Sequence, residues 1–246
     1  EPWTNPKCPV LSAWVPKTPL KGSSQFVMER NPYYWKTDPQ GNQLPYIDRL
    51  VFHVYMNPQS MTQKTLNGEI DFMDRSTVAT IANKSGFADN QEAGQYRLTT
   101  IIDPTSHVIA IGLNQTIADP VLREVFRNKS FRIGLSYAIN RQEIIDTVYN
   151  GQGEPWQTSP KKGSGFYNER LAKQYTEYDM DLANQYLDEA GFAERDSEGW
   201  RLGPDGKRIE FVVITRKDQT EVNAAMRRII PAWREAGVYA SVKTLT

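Results

Sequence analysis

The clearest hydrophobic pattern lies near the carboxyl end of the chain, where apolar residues recur with the period of a helix. This stripe predicts one helix with a buried face, and its members are Val222, Ala225, Met226, Ile229, Ile230 and Trp233. Pro231 within the stripe predicts a kink, and Gly237 predicts the end of the helix. Apolar runs flank the helix, so residues 209–215 and 238–245 are predicted strands.

The middle of the chain shows two helical patterns that meet at a polar junction. Phe131 and Leu135 belong to the first pattern, Asn140 marks the junction, and Ile144 belongs to the second pattern. Gly151 and the glycine two residues later are predicted to stop the second helix.

A long loop and one more helix are predicted next. Residues 155–170 are rich in proline and glycine and read as a loop. Asp179 or Asp181 can cap the following helix, and Gly191 is well placed to end it.

The amino-terminal part of the chain alternates short apolar runs with turn residues. Its first residues, 1–21, are rich in proline and predict an irregular lead-in. Helices are predicted at residues 58–67, before Gly68, and at residues 77–84, between a cap at Ser76 and a stop at Gly86. Strands are predicted at residues 25–30, 50–55, 70–73, 96–102 and 108–113. Together these elements predict an α/β fold with mixed sheets and flanking helices.

Composition and charge narrow the possible function classes. The 246 residues contain 29 Lys+Arg and 29 Asp+Glu, a formal net charge of +0. This balance argues against a general binder of nucleic acids or anionic membranes. No apolar run reaches the length of about 18 residues that a membrane span needs, so we do not expect a membrane-spanning chain.

The sequence also contains few residues and motifs of the kinds that usually support catalysis. Cys8 is the single cysteine, which excludes an internal disulfide and a cysteine zinc site. His53 and His107 are the two histidines, and we interpret both as packing or surface residues. The sequence contains no P-loop, dinucleotide fingerprint, nucleophile elbow or calcium loop. We therefore expect no catalytic residue, no metal site and no cofactor.

Six segments, taken in order, carry a family resemblance. They are residues 26–35, 41–49, 66–72, 111–114, 131–141 and 181–192. The first contains Arg30-Asn31-Pro32-Tyr33-Tyr34-Trp35, and the fifth contains Phe131-Arg132-Ile133-Gly134-Leu135 followed by Ala138-Ile139-Asn140-Arg141. Together the segments resemble the solute-binding proteins of bacterial ABC importers, in extracellular family 5. Most of these motif residues are architectural, because they stop helices and strands or bury aromatic surface.

This resemblance implies a fold and a function. The fold would be part of a two-lobed periplasmic binding protein of type II, truncated at both ends, since family members are considerably longer. Residues 1–112 would belong to the first lobe, 113–119 to the crossing and 120–246 to the second lobe. The protein would be periplasmic or tethered at the cell surface. Its partners would be an oligopeptide or oligosaccharide ligand, an ABC permease and the ATPase subunits of that permease.

Five residues are candidates for ligand binding. Asn114 follows a predicted strand at the predicted crossing, and its amide can both donate and accept hydrogen bonds. The alternative for Asn114 is a turn residue. Trp156 lies between glycine and proline-rich segments and could form a stacking wall. Gln157, Thr158 and Trp14 are further candidates.

Two other function classes remain open at this point. A hydrolase of the α/β type acting on similar oligomeric substrates would need a carboxylate pair or a nucleophile–base pair, and the lack of an elbow motif argues against it. A sensor or chaperone-like protein could use the same scaffold without a permease. A neighbouring permease and ATPase in the operon would separate the importer from the sensor.

Overall fold

The structure, a computed structural model, describes residues 5–73, 80–99 and 107–245. It divides into two compact units, Glu1–Thr99 and Thr100–Thr246, called here the amino-terminal and carboxyl-terminal units. Both contain helices and strands, which confirms the predicted α/β class. The assignment of residues 1–112, 113–119 and 120–246 to two lobes and a crossing stays a prediction.

The amino-terminal unit is built on an antiparallel sheet of three strands among its described residues. These strands are β1 (Trp14–Pro16), β2 (Gln25–Arg30) and β3 (Arg49–His53), in the order β1-β2-β3. The central strand β2 buries Phe26, Val27 and Met28. The buried side chain of Asn31 donates to the carbonyl oxygens of Val10 (3.3 Å) and Ser12 (2.9 Å). This contact holds the proline-rich lead-in, which explains why it contains a strand that its prolines did not predict.

Two helices complete the described part of this unit. They are α1 (Pro58–Leu66) and α2 (Ile81–Asp89). Asn57 caps α1 by accepting from the backbone N–H of Gln59 at 2.7 Å. Gly68 follows α1 at a φ of 73°, and a Cβ there would collide with the carbonyl oxygen of Gly94. The predicted glycine stop is therefore confirmed, and it is also a point of close backbone contact.

The carboxyl-terminal unit is mainly helical in its described residues. Its helices are α3 (Pro120–Arg127), α4 (Lys129–Tyr137), α5 (Arg141–Val148), α6 (Glu169–Lys173), α7 (Met180–Glu189) and α8 (Thr220–Glu235). Strands β4 (Glu210–Arg216) and β5 (Tyr239–Leu245) pair in parallel, and α8 connects them. Asp179 is the residue that caps α7, because its side chain accepts from the N–H of Leu182 at 2.8 Å.

The apolar stripe of α8 packs into the core of this unit as predicted. Trp233 is 2% exposed, and its indole N–H donates to the carbonyl oxygen of Leu135 at 3.0 Å. This bond ties α8 to the last turn of α4. Helix α4 also contacts α7, and Gly134 lies so close to α7 that a Cβ would come 2.7 Å from Leu187 Cγ and 2.9 Å from the Ala183 carbonyl oxygen.

Several predicted elements differ from the structure. Residues 70–73 and 108–113 are not strands, because no described residue pairs with their backbones. Residues 96–99 are likewise irregular, and 100–102 lie outside the described residues. Helix α2 begins after Thr80 and runs through Gly86, whereas the predicted cap, Ser76, lies outside the described residues. Helices α3 and α6 were not predicted, since each is short and follows a polar stretch.

We predict that Gly134→Ala destabilises the carboxyl-terminal unit despite the better helix propensity of alanine. Overpacking against Leu187 and the α7 backbone should cost about 1–3 kcal/mol, and the melting temperature should fall by about 2–4 °C for each kcal/mol. Gly86→Ala is the control, because Gly86 lies within α2 with open space around its Cα. That variant should gain about 0.4–1 kcal/mol. A Gly134→Ala protein that melts at or above the wild-type temperature would contradict the tight α4–α7 contact.

We also predict a pH-dependent contact in the turn of residues 38–42, which leads into the second motif segment. The Tyr46 hydroxyl donates to Asp38 Oδ2 at 2.6 Å, and Asn42 Nδ2 donates to the same oxygen at 2.9 Å. These bonds, the one from Tyr46 being the stronger, lower the pKa of Asp38 from 3.8 to about 2. Because the folded pKa is the lower one, the contact stabilises the turn above pH 3.8 and is lost as the pH falls towards 2.

The pKa of Asp38 can be measured by an NMR titration of its carboxyl carbon. Tyr46→Phe should raise this pKa towards 3.8, since the main hydrogen bond is lost. Tyr33→Phe is the matched control, because Tyr33 is exposed and its hydroxyl has no described partner. An unchanged pKa in Tyr46→Phe would show that Tyr46 does not hold the carboxylate.

Candidate functional site

A cleft of about 1110 Å³ lies within the carboxyl-terminal unit. Its walls are residues 107–113, helices α4, α5 and α8, and the loop of residues 152–162. Much of the lining is apolar and includes Ile133, Ile144, Ile229 and Trp233. A concave, largely apolar surface with a few polar groups is the usual form of a small-molecule site.

One wall of the cleft is an extended segment, residues 107–113. Ile109, Ile111 and Leu113 are partly buried, while Ala110 and Gly112 between them are exposed. This alternation has the period of a β-strand. Within the described part of the chain, the backbone of this segment forms no hydrogen bond.

The cleft contains one connected polar network, centred on the Ser136 hydroxyl. Ser136 Oγ donates to the carbonyl oxygen of Tyr175 at 2.8 Å. It accepts from Arg141 Nη2 at 2.7 Å and from Gln157 Nε2 at 3.2 Å. Gln157 Nε2 also donates to the Gln174 carbonyl oxygen at 2.9 Å. Burial lowers the pKa of Arg141 to about 10, so its guanidinium is charged at neutral pH.

An indole ring lines the cleft beside this network. The ring of Trp156 stacks on Tyr167, with centroids 6.0 Å apart and planes at 16°. Lys173 Nζ lies 4.7 Å from the indole centroid. The indole N–H donates to the Ser159 carbonyl oxygen at 3.0 Å. These contacts fix the orientation of the ring.

The comparison with known proteins identifies the family. The family model described as "Bacterial extracellular solute-binding proteins, family 5 Middle" matches residues 10–246. The chain belongs to this family. The membership predicted from the six sequence segments is therefore confirmed.

Relatives and solved structures agree with this assignment. The periplasmic alpha-galactoside-binding protein of Rhizobium meliloti (strain 1021) is 26% identical over 227 residues, which are 88% of this chain and 32% of the relative. A solved oligopeptide-binding protein, OppA, is 35% identical with a TM-score of 0.66, over 100% of this chain and 39% of that one. The periplasmic binding protein MelB of Agrobacterium fabrum C58, solved with stachyose, is 20% identical with a TM-score of 0.62, over 96% of this chain and 36% of that one, and shows the fold alone.

These likenesses confirm the periplasmic binding protein fold, and they concern a part of each relative. The chain spans 32–38% of the length of the first curated relatives it matches. Proteins of this family are named for binding solutes, and the relatives above are named as binding proteins rather than enzymes.

The structure brings three of the five predicted ligand residues of this family member to the cleft. Trp156, Gln157 and Thr158 all line it, and Thr158 is exposed. Asn114 lies just beyond the extended wall. Its Oδ1 accepts from the N–H (3.1 Å) and hydroxyl (3.0 Å) of Thr116, which is the geometry of a turn residue. Its ligand role stays a prediction, as do the roles of the three lining residues.

Trp14, the fifth candidate, lies in the amino-terminal unit. It belongs to β1, and its indole N–H donates to the Ile47 carbonyl oxygen at 3.0 Å. This bond joins the lead-in to the chain just before β3, so it gives Trp14 a clear structural role. A contact of Trp14 with ligand stays a prediction.

Three polar groups in the cleft were not predicted from the sequence. The hydroxyls of Tyr149 and Ser159 and the Nδ1 of His107 are buried and have no hydrogen-bond partner among the described residues. Tyr149 is 7% exposed and Ser159 is 4% exposed. Burial raises the pKa of Tyr149 to about 12, so its hydroxyl stays protonated. Tyr149 follows the apolar pattern of α5, and no sequence signal separated it from core residues. His107 was interpreted as a packing or surface residue, and it lines the cleft.

Two features of the described residues bear on other functions. No group of three or more His, Cys, Asp or Glu side chains that could hold a metal occurs in the described ranges. Among the helices described, none combines the length and apolar character needed to cross a bilayer.

We predict that Ser136→Ala loosens the wall of the cleft. The change leaves Arg141 Nη2 and the Tyr175 carbonyl oxygen without this partner, which should cost about 1–3 kcal/mol. Thermal unfolding should show a lower melting temperature. Ser197→Ala is the control, because Ser197 is exposed in a turn, and its effect should stay within about 0.5 kcal/mol. Equal melting temperatures of the two variants would mean that the network does not stabilise the unit.

Proposed function

We propose that the protein of which this chain forms part is the solute-binding component of an ABC importer. The observation that carries the proposal is the cleft, which is lined by an indole ring and hydrogen-bonding groups. The chain that forms this cleft belongs to a family of solute-binding proteins. The solute would be an oligopeptide or a short oligosaccharide. Relatives named as oligopeptide-binding and alpha-galactoside-binding support both classes.

Binding in such a cleft needs no covalent step. Apolar walls exclude water, and the edge of Trp156 offers apolar contact to a sugar ring or a side chain. Thr158, the buried hydroxyls of Tyr149 and Ser159, and the Asn114 amide offer hydrogen bonds that suit peptide groups and sugar hydroxyls equally. Two lobes would close on the solute by a hinge motion.

The proposed partners and location follow the family. The closed form would deliver solute to a membrane permease, which its ATPase subunits drive. The site of action would be the periplasm, in keeping with the periplasmic relative of Rhizobium meliloti. In the two-lobe assignment, Asn114 lies in the crossing between lobes, and the loop of residues 152–162 borders the binding cleft.

The hydrolase alternative finds little support in the cleft. Among the described lining residues, Glu154 is the only carboxylate, and it forms an ion pair with Lys173 at 2.7 Å. A pair of carboxylates for hydrolysis is therefore missing from this part of the structure. The relatives named above are binding proteins. We propose that the protein is not an enzyme.

A thermal-shift screen tests this function. A ligand that binds the native state stabilises it by mass action and so raises the melting temperature. At a ligand concentration of about a hundred times Kd, the free energy of unfolding increases by about 2.7 kcal/mol. We expect a rise with an oligopeptide pool or with an oligosaccharide pool, in the full-length protein and in this chain. Trp156→Ala should weaken the binding of the active pool about tenfold.

Trp35→Ala is the matched control for that variant. Trp35 is an exposed tryptophan of the amino-terminal unit, and its loss should leave the affinity unchanged. Turnover of a pool by chromatography, without any rise in melting temperature, would overturn the binding function and favour the hydrolase.

A further inference from the structure

The lining of the cleft is rich in positive charge. Five cationic side chains line it, and they are Lys129, Arg132, Arg141, Lys161 and Lys162. The single lining carboxylate, Glu154, is paired with Lys173 outside the lining. Without counting Lys161, the described lining residues still include four cations against this one carboxylate, an excess of positive charge, although the whole chain has a formal net charge of +0.

Four of these cations have no carboxylate partner within 4.0 Å among the described residues, and they are Lys129, Arg132, Arg141 and Lys162. Arg132 Nη1 donates to backbone carbonyl oxygens at the end of α3, such as that of Phe126 at 2.7 Å. Arg141 Nη1 donates to the Ser136 carbonyl oxygen at 2.8 Å. Carbonyl oxygens satisfy N–H donors without neutralising the charge, so both guanidinium groups contribute a positive potential.

Acidic groups near the cleft offset part of this potential, and Glu154 itself interacts electrostatically with Lys162. The charge of Glu177 raises the pKa of Arg141 without forming an ion pair with it. The charge of Glu221 raises the pKa of Tyr149. Glu143 is paired with Arg228 at 3.4 Å. Apolar walls concentrate the field of the lining cations, because they exclude water that would screen it.

Two buried hydroxyls add donors to the same cleft. The oxygens of Tyr149 and Ser159 have no partner in the described part of the chain. A hydroxyl can donate to a carboxylate oxygen, and hydrogen bonds to an ionised acceptor are stronger than those between neutral groups. The cations and the hydroxyls thus favour the same kind of ligand group.

We propose that this cleft binds a carboxylate group of the solute and so selects acidic solutes. The proposal rests on the proposed function and narrows its ligand class. The carboxylate could be the free carboxyl end of an oligopeptide or that of an acidic oligosaccharide. Both sources present the same carboxylate group, and the calorimetry experiment below distinguishes them.

The charge of the cleft can be tested first without any solute. NMR relaxation of the 246-residue chain is measured with an anionic and with a cationic nitroxide probe. The anionic probe should be enriched about tenfold over the cationic one at the amides of Ile133 and Ile144. The double variant Lys129→Gln with Lys162→Gln should reduce this ratio by about two- to fivefold for each lysine. Both lysines are exposed, so the fold should tolerate their replacement.

Lys243→Gln is the matched control, because Lys243 is an exposed lysine of β5 outside the cleft lining. It should leave the ratio at these amides unchanged. Equal concentrations of both probes in the wild-type cleft would overturn the charge inference and leave the proposed function intact.

The ligand class is then tested by measuring binding with calorimetry, for pairs of solutes whose members differ in one chemical group. A tripeptide with a free carboxyl end is compared with its amide, and an oligogalacturonate with a neutral galacto-oligosaccharide. We expect the acidic member of one pair to bind about tenfold tighter, with an advantage that shrinks at high salt. The pair that shows it identifies the source of the carboxylate. Equal binding within both pairs, or tighter binding of the neutral members, would overturn the carboxylate site while a solute-binding function stands. Failure of every solute to bind to the full-length protein would overturn both.

Discussion

The carboxyl-terminal unit depends on one buried cation, the guanidinium of Arg201, which is 1% exposed. Its Nε donates to the Ala236 carbonyl oxygen (2.8 Å) at the end of α8, and its Nη1 donates to the Phe192 carbonyl oxygen (2.6 Å) just after α7. Nη1 also pairs with Asp188. A buried charge is tolerated only where its donors are satisfied, so the ends of two helices are held at fixed positions around this group.

The cleft follows from that arrangement. With the end of α8 fixed, Trp233 is held where its indole can donate to Leu135 at the end of α4. The hydroxyl of the next residue, Ser136, accepts hydrogen bonds from Arg141 and Gln157, which joins them in one network. The wall of the cleft is therefore a consequence of helix packing. Its polar groups donate hydrogen bonds to backbone carbonyl oxygens, which position them at the base of the cleft.

The sequence predicted those elements whose signals are local. Asn140 caps α5 by accepting from Glu143 N–H, and Gly191 follows α7 at a φ of 92°, both as expected from residue type. Strand formation depends on a partner, and the alternating residues 107–113 have none in the described structure. The same limit applies to the site. Trp156 and Gln157 could be nominated by type, whereas Tyr149 looks like a core residue until the cleft beside it is known.

The motif glycines and the loop of residues 152–162 have different roles in this chain. Gly68 and Gly134 lie in motif segments, and their role is to allow close backbone contact. The loop of residues 152–162 lies outside every motif segment, yet it contributes Trp156, Ser159 and two lysines to the cleft. A scaffold fixed by packing can keep its motifs while a loop changes its charge. Under the proposed function, variation in such a loop would let one fold serve different solutes, in keeping with relatives named as oligopeptide-binding and alpha-galactoside-binding.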